Sequence, residues 1–126
     1  MIIRVDVNSD EALYVQLMNQ IKYGVANGYL KPKDKLPSVR GLASELGINM
    51  HTVSKAYNLL KDEGLLLVSR KGVTVSDDVL TRVSDDYLVT VKKKIDELVY
   101  ECEVNGVTEE EVITMVKQVY KGLGGK

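Results

Sequence analysis

The stretch LPSVRGLASELGINMHTVSKAYNLLKDEG, residues 36–64, contains two short helical patterns separated by a turn. Ser38 can cap the first helix, Gly47 can adopt the positive φ that ends it, and Asn49 can cap the second. The two helices have inward-facing apolar stripes, Val39, Leu42, Ala43 and Leu46 in the first and Val53, Ala56, Tyr57 and Leu60 in the second. Two such helices joined by a tight turn are typical of a helix-turn-helix, which lays its second helix in the major groove of DNA.

Residues 65–75 follow the second helix, and their apolar residues no longer recur at helical spacing. Residues 65–68 are an apolar run, residues 69–72 are polar with a glycine, and residues 73–75 are β-branched. We expect two strands around a tight turn, and a hairpin placed directly after a helix-turn-helix is a wing. Its tip carries Arg70, Lys71 and Gly72, so two cations are placed to reach a phosphate or the minor groove.

The segment before residue 36 completes a predicted front domain. Apolar side chains at steps of three and four predict an amphipathic helix of about 16 residues, which begins near Ser9 and Asp10 and stops at Asn27. Residues 29–37 contain Pro32 and Pro37 and are predicted to be a loop, and weak alternation over residues 2–7 predicts a short strand or an ordered arm. Residues 1–76 of this mostly α chain are therefore predicted to be a winged helix-turn-helix of three helices and a β-hairpin.

Residues 77–126 are predicted to form a small helical dimerisation domain. Its first helix has an apolar seam at spacings of 3, 4, 3 and 4, and Thr108 and Glu111 form a capping box that opens the second. The predicted interface residues are Leu88, Val91, Ile95, Leu98 and Cys102 on the first helix and Val112, Met115, Val116 and Val119 on the second, with Leu123 as a further candidate. Two such helices cannot bury both stripes by themselves. A four-helix cluster of two chains would cover them, and packing on the chain's own front domain is the alternative.

The composition is that of an ordinary globular protein, with 44% hydrophobic and 28% charged residues in 126 positions. We expect no membrane span, because no run of 18 apolar residues occurs, and a cytoplasmic location, because the N-terminus lacks a secretion signal. One cysteine and one histidine exclude an intrachain disulfide and a zinc site of about four ligands, and Cys102 is expected to be a small buried residue. With no catalytic set visible, the sequence predicts neither an enzyme nor a bound metal or cofactor.

Charge is distributed unevenly along the chain, although the net charge is only −1. Residues 1–75 contain ten basic and seven acidic side chains, whereas residues 76–126 contain seven basic and eleven acidic ones. A basic front half suits a protein that presents one end to the phosphates of nucleic acid.

The residues that we expect to contact DNA lie at the start of the first helix of the helix-turn-helix, on the outward face of its second helix and at the tip of the wing. The predicted DNA-binding set is Ser38, Arg40, Asn49, Met50, His51, Thr52, Ser54, Lys55, Arg70, Lys71 and Gly72. Asparagine can pair with adenine and threonine or methionine can contact a thymine methyl, whereas Lys55 is better placed for a phosphate. A merely solvated helix face is the alternative, but the turn before it and the wing after it favour DNA. Arg40 could instead form an ion pair with Glu45 or Asp62.

These segments resemble the GntR family of bacterial transcription regulators over residues 11–75. LYVQL at residues 13–17 is similar to the family's P-[IL]-Y-x-Q-[IL] opening, and GYLKPKDKLPSVR at residues 28–40 is similar to G-x-L-x-P-G-D-x-L-P-S-x-R. TVSKAY at residues 52–57 and EGL at residues 63–65 complete the match. The short two-helix tail resembles the family's YtrA-type subfamily, which has such a tail in place of a large effector-binding domain.

The resemblance implies a homodimeric winged helix that binds a palindromic operator on double-stranded DNA, usually as a repressor and often of membrane-transporter genes. It places the family's DNA-reading arginine at Arg40. Other members have arginines at the positions of Met50 and Ser54, so Asn49, His51 and Thr52 are the expected base readers of this chain. The wing also departs from the usual G-x-G-T-[FY]-V pattern, which becomes KGVTV at residues 71–75.

Two functions of different classes fit the sequence. The first is a dimeric, sequence-specific DNA-binding repressor, and the alternative is a protein-interaction module that uses the winged-helix fold without reading DNA. The basic residues Arg40, Lys55, Arg70 and Lys71 favour the first if they share one face, because an interaction module does not require them there. The short helices leave room for only a modest pocket, so the sequence does not decide whether a small-molecule effector binds.

Overall fold

The computed structural model describes residues 3–124, and this range contains five helices and three strands. In chain order they are α1 (Leu13–Ala26), β1 (Lys35–Leu36), α2 (Val39–Leu46), α3 (Met50–Asp62), β2 (Leu66–Ser69), β3 (Gly72–Val75), α4 (Asp85–Val104) and α5 (Glu109–Lys121). The chain divides into two compact units, one ending at residue 80 and the other beginning at residue 81. The predicted fold class is confirmed, since the chain is mostly helical with a small antiparallel sheet.

The core of the first unit is formed by α1, α2, α3 and the sheet. Leu17 and Ile21 of α1 and Val53 and Leu60 of α3 have no exposed surface, because residues three or four positions apart share one face of a helix. The predicted inward stripe of α3 is therefore confirmed. Burying each such side chain contributes roughly 1.5–3 kcal/mol to folding, so this core holds α3 firmly against the other two helices.

A three-stranded antiparallel sheet of order β1–β3–β2 forms the wing. The predicted hairpin is confirmed, because β2 and β3 pair up to Ser69 opposite Gly72 and leave a two-residue turn. The predicted loop over residues 29–37 is wrong in one place, since Lys35 and Leu36 pair with β3 as the short strand β1. A strand of two residues is too short to show alternation, and it forms because β3 offers it an unpaired backbone edge.

The start of α1 also differs from the prediction. The helix begins at Leu13 rather than near Ser9 and Asp10, and the preceding Ala12 makes no side-chain cap. The Ser9 hydroxyl instead accepts a hydrogen bond from the Glu11 N–H at 3.1 Å. Such a local side-chain bond stabilises a turn in competition with the helix, which accounts for the later start.

Two glutamine side chains hold the N-terminal segment against α1. Gln16 accepts a hydrogen bond from the Asp6 N–H at 2.8 Å and donates one to the Asp6 carbonyl at 3.0 Å. One turn later, Gln20 pairs in the same way with the backbone of Arg4. The segment is therefore an ordered arm from residue 3 onward rather than a strand, and residue 2 of the predicted segment lies outside the described residues.

The second unit contains α4 and α5. The Ser84 hydroxyl caps α4 by accepting a hydrogen bond from the Tyr87 N–H at 3.1 Å, and Gly106, with a φ of 79°, lies in the turn between the helices. Thr108 and Glu111 form the predicted capping box at the start of α5, which is thereby confirmed. Neither helix contains a buried residue, although both carry many apolar side chains.

Candidate nucleic-acid interface

Two side chains of the predicted DNA-binding set also cap the N-termini of the two helices of the helix-turn-helix. The Ser38 hydroxyl accepts a hydrogen bond from the Gly41 N–H at 3.0 Å, and Asn49 Oδ1 accepts one from the His51 N–H at 2.8 Å. These caps satisfy N–H groups that have no partner within the helix, and so they set where α2 and α3 begin. Between the helices, Gly47 has a φ of 67°, in the left-handed region that favours glycine. Bidentate pairing of Asn49 with adenine would require its Oδ1 to accept a second hydrogen bond.

The outward face of α3 is a continuous stripe of accessible side chains. His51, Ser54, Lys55 and Asn58 follow one another at helical spacing and so lie on the same side of the helix. The exposed fraction of Met50 is 40%, which adds apolar surface at the first turn. The structure therefore brings the predicted readers together, and each of them is exposed or half-buried: Asn49, Met50, His51, Thr52, Ser54 and Lys55.

Tyr57 makes a positioning contact that the sequence analysis did not anticipate. Its ring is only 1% exposed, and its hydroxyl donates a hydrogen bond to the Pro37 carbonyl at 2.8 Å. The bond ties the middle of α3 to the residue just before the Ser38 cap. Burial raises the pKa of Tyr57 to about 12, so the hydroxyl keeps its proton and remains a donor even at a pH where an ordinary tyrosine ionises. The indication of this contact in the sequence was a tyrosine on the apolar stripe of α3. A buried tyrosine hydroxyl usually requires a hydrogen-bond partner.

The basic residues outside α3 are also accessible. Arg70 and Lys71 form the two-residue tip of the wing, and Gly72 follows with a φ of 126°. Arg40 lies exposed in the first turn of α2, and among the described residues it forms no ion pair with Glu45 or Asp62. Because β2 packs against α3, the wing lies within the first unit beside this second helix of the helix-turn-helix, which corresponds to the recognition helix of that motif.

Tyr14 is a second residue that the sequence analysis did not connect with the site. It lies in the first turn of α1, and the Lys55 Nζ lies 4.0 Å from the centroid of its ring. Residues 14 and 55 are far apart in sequence and belong to different helices, so spacing gave no indication of the contact.

The apolar residues of the second unit are accessible in the single chain. Leu88, Ile95 and Met115 are each 50% exposed, and Cys102, which was expected to be buried, is half-buried with a free thiol. Several further apolar side chains outside the predicted set are exposed as well: Tyr87, Val99, Tyr100, Ile113 and Tyr120. Because neither helix has a buried residue while many of their apolar side chains are accessible, the two helices are suited to contact another surface.

The next features are those that would indicate a ligand pocket, a metal site or a membrane span. An open pocket of about 240 Å³ beside α2 is lined mainly by apolar side chains, with Lys35 and Glu45 among its polar ones, and it is smaller than the roughly 300–1,000 Å³ of typical ligand sites. Residues 3–124 contain no group of three metal-ligating side chains. No helix in that range is long and apolar enough to cross a membrane.

The described geometry defines a class of protein. A capped helix-turn-helix with an accessible recognition helix and an adjoining basic wing is the winged helix-turn-helix of DNA-binding proteins. The family model for bacterial regulatory proteins of the gntR family matches residues 13–75. The chain belongs to this family, as its sequence motifs predicted, and it is a sequence-specific DNA-binding regulator of transcription.

Individual relatives extend the similarity beyond the winged helix. The chain is 33% identical to the HTH-type transcriptional repressor YtrA of Bacillus subtilis, over 98% of this chain and 97% of the relative. A transcriptional antiterminator from Listeria monocytogenes EGD-e has a similar crystal structure, with a TM-score of 0.89 and 26% identity over 100% of this chain and 95% of that one. AraR(DBD) in complex with operator ORE1 is similar with a TM-score of 0.50 and 25% identity, over 60% of this chain and 94% of that one.

Proposed function

We propose that the protein is a homodimeric repressor that binds a palindromic operator through α3 and the wing. The observation that carries the proposal is the accessible stripe on α3, which adjoins a wing with a basic tip. A helix of this kind fits the major groove, and basic groups beside it fit the flanking phosphates. The similarity to the repressor YtrA over nearly the whole length supports repression rather than activation. A protein that acts on bacterial DNA works in the cytoplasm, so we place it there.

Within this proposal, the first turn of α3 reads bases. Met50 and His51 are exposed at that turn, where side chains point most directly into the groove. Asn49 and Thr52 flank them, and Ser54 lies one turn further along the same helix. Methionine and threonine suit a thymine methyl, and the Asn49 amide N–H₂ group can donate to a base while Oδ1 serves the cap.

The basic residues supply affinity through the phosphate backbone. Lys55 lies beyond the first turn of α3, and Arg70 and Lys71 lie at the wing tip beside Gly72. Arg40, at the exposed N-terminal end of α2 next to the Ser38 cap, contacts either the backbone or a guanine. These contacts make binding strongly dependent on salt.

Dimerisation through α4 and α5 completes the proposal. The predicted interface residues supply accessible apolar surface that a second copy would cover: Leu88, Val91, Ile95, Leu98, Cys102, Val112, Met115, Val116 and Val119. Two recognition helices related by a two-fold axis read two half-sites about 10 base pairs apart, which makes a palindromic operator the natural target. The pocket beside α2 is too small to support a proposal for an effector.

Selection of bound sequences from a random DNA pool tests this function. We expect the enriched sequences to share an inverted repeat, and a duplex that carries it should compete far better than a scrambled duplex. His51→Ala should change the enriched half-site, whereas the matched variant Lys94→Ala, an exposed change in α4, should not. Failure to enrich any motif would contradict sequence-specific binding, and enrichment of a single unpaired half-site would contradict the dimer.

A further inference from the structure

The contact between Lys55 and Tyr14 joins the recognition helix to a helix outside the helix-turn-helix. The Lys55 ammonium lies 4.0 Å from the centroid of the Tyr14 ring, well within the distance at which an aromatic face attracts a cation. Lys55 is exposed on the outward side of α3, and Tyr14 is half-buried in the first turn of α1. The Lys55 ammonium therefore lies against the Tyr14 ring rather than extending freely into solvent.

The Tyr14 side chain is itself anchored by the residues around it. Tyr14 packs against the hydrophobic core, and the next turn of α1 carries the fully buried Leu17. The adjacent Gln16 is buried and bound to the backbone of the N-terminal arm. The packing of α1 against α3 therefore places the Tyr14 ring beside Lys55, and the contacts of Leu17 and Gln16 anchor the start of α1.

An ammonium group on an aromatic face remains able to bind a phosphate. The group has three N–H donors, and the ring occupies only one side of it. A free lysine side chain has four rotatable bonds in its stem, and it loses that freedom when it binds a phosphate. Restricting Lys55 before DNA arrives reduces this loss, which is the general effect of preorganisation.

We propose that Tyr14 is a positioning residue for DNA binding, whose ring holds the Lys55 ammonium ready for a backbone phosphate beside the recognition helix. The inference rests on the proposed operator binding and assigns α1 a part in it. Tyr14 acts through Lys55 and through the face of its ring, so its hydroxyl is not required. The contribution is to affinity rather than base choice, since a phosphate carries no sequence information.

Three substitutions in the full-length chain separate the ring, the hydroxyl and the charge. Tyr14→Leu removes the ring but keeps an apolar side chain, Tyr14→Phe keeps the ring and removes only the hydroxyl, and Lys55→Met keeps the stem and removes the charge. Affinity is measured by fluorescence anisotropy on the duplex enriched from the random pool, over a series of salt concentrations. The double variant Tyr14→Leu with Lys55→Met completes a thermodynamic cycle.

We expect Tyr14→Leu to weaken binding about two- to fivefold, the fold-change that corresponds to an exposed cation–π contact. Tyr14→Phe should bind like the wild type. Lys55→Met should lower the salt slope by about one, as the loss of one phosphate contact does. In the Lys55→Met background, Tyr14→Leu should have no further effect. Thermal melts of all variants, compared within each background, account for any general loss of stability.

Several outcomes would overturn the inference. Equal losses from Tyr14→Leu in both backgrounds would show that the ring acts independently of Lys55. Equal losses of affinity from Tyr14→Phe and Tyr14→Leu would show that the hydroxyl contacts DNA. No loss of affinity from Tyr14→Leu would show that the contact between Tyr14 and Lys55 contributes nothing to binding. Each of these results leaves operator binding intact. If the wild type enriches no duplex, operator binding itself is refuted and the role of Tyr14 with it.

Discussion

At the scale of single residues, two side chains of the proposed DNA-binding set also cap helices. Asn49 caps α3 and faces the predicted groove, and Ser38 caps α2 beside Arg40. The resemblance to the family places arginines of other members at the positions of Met50 and Ser54, so we expect less charge on the proposed base-reading face of α3. Its operator sequence should therefore differ from those of arginine-bearing relatives, because arginine prefers guanine.

Arg40 offers the most direct test of a single DNA contact. Arg40→Ala should weaken operator binding by about 1–3 kcal/mol, because a charged contact to a base or phosphate is lost. Arg82→Ala is a matched control, since it removes an exposed arginine from the second unit. Anisotropy titrations on the enriched duplex compare the two variants. Equal effects of both would show that only overall charge matters.

Tyr57 links stability to alkaline pH. A tyrosine whose pKa is raised on folding contributes stability that is present below its unfolded pKa, near 10, and is lost as the pH rises through about 12. Tyr57→Phe should cost about 0.5–1.5 kcal/mol at neutral pH, because the hydrogen bond to Pro37 is lost. It should also flatten the fall in stability between those two pH values. Denaturant unfolding at a series of pH values measures both effects, and an unchanged pH profile would exclude Tyr57 as its cause.

At the scale of elements, the orientation of α3 depends on the turn that precedes it. Gly47 ends α2 in the left-handed conformation, and a Cβ added there would meet no atom within 4 Å. Any cost of replacing it is therefore conformational rather than steric. The Lys22–Glu63 ion pair at 2.9 Å also joins α1 to the end of α3, but exposed pairs of this kind stabilise little.

Replacement of Gly47 tests the role of the turn. Gly47→Ala should destabilise the protein by roughly 1–2 kcal/mol, because an L-residue with a side chain disfavours a positive φ. Gly47→Asn is the matched control, and it should cost less because asparagine tolerates this conformation. Urea unfolding midpoints compare the variants. A smaller loss for alanine than for asparagine would contradict the conformational explanation.

At the scale of the whole molecule, the proposed dimer would bind DNA with two copies of the winged helix at once. The second unit supplies no base-reading residue in our proposal, and its contribution comes from apolar surface on α4 and α5. Joining two weak half-site contacts raises the overall affinity without any new contact to DNA, because the second half-site is bound at high local concentration.

Charged substitutions in α4 test the predicted interface. Ile95→Glu should give a monomer, because it places an uncompensated charge where apolar surface would be buried. Val104→Glu is the matched control, since Val104 is 85% exposed and lies outside the predicted interface. Light scattering with sizing gives the mass of each variant, and anisotropy gives its affinity. A dimeric Ile95→Glu variant would place the interface elsewhere.

Removal of residues 80–126 is a second test of the same interface. The remaining fragment should be monomeric and should bind the enriched duplex weakly, because the linkage between half-sites is lost. A fragment that stays dimeric on sizing would contradict the assigned role of α4 and α5.

The elements whose causes are local could be predicted from the amino-acid sequence. Ser38, Asn49 and Thr108 cap helices through bonds that reach only two or three residues along the chain, and all three were predicted. The buried stripe of α3 and the wing hairpin were predicted for the same reason, because helical spacing and a two-residue turn are properties of short segments. The family motifs then identified the combination of these elements.

The contacts between distant segments, by contrast, could not be predicted from the sequence, because they depend on how the chain packs. β1 exists because β3 lies beside it, the arm is ordered because Gln16 and Gln20 reach its backbone, and Tyr57 finds Pro37 across the fold. The position of Lys55 over Tyr14 likewise required the packing of α1 against α3. Periodicity predicts which face of an element is buried, but it does not predict which residue of another element that face will meet. This is because the partner is chosen by packing of the whole core.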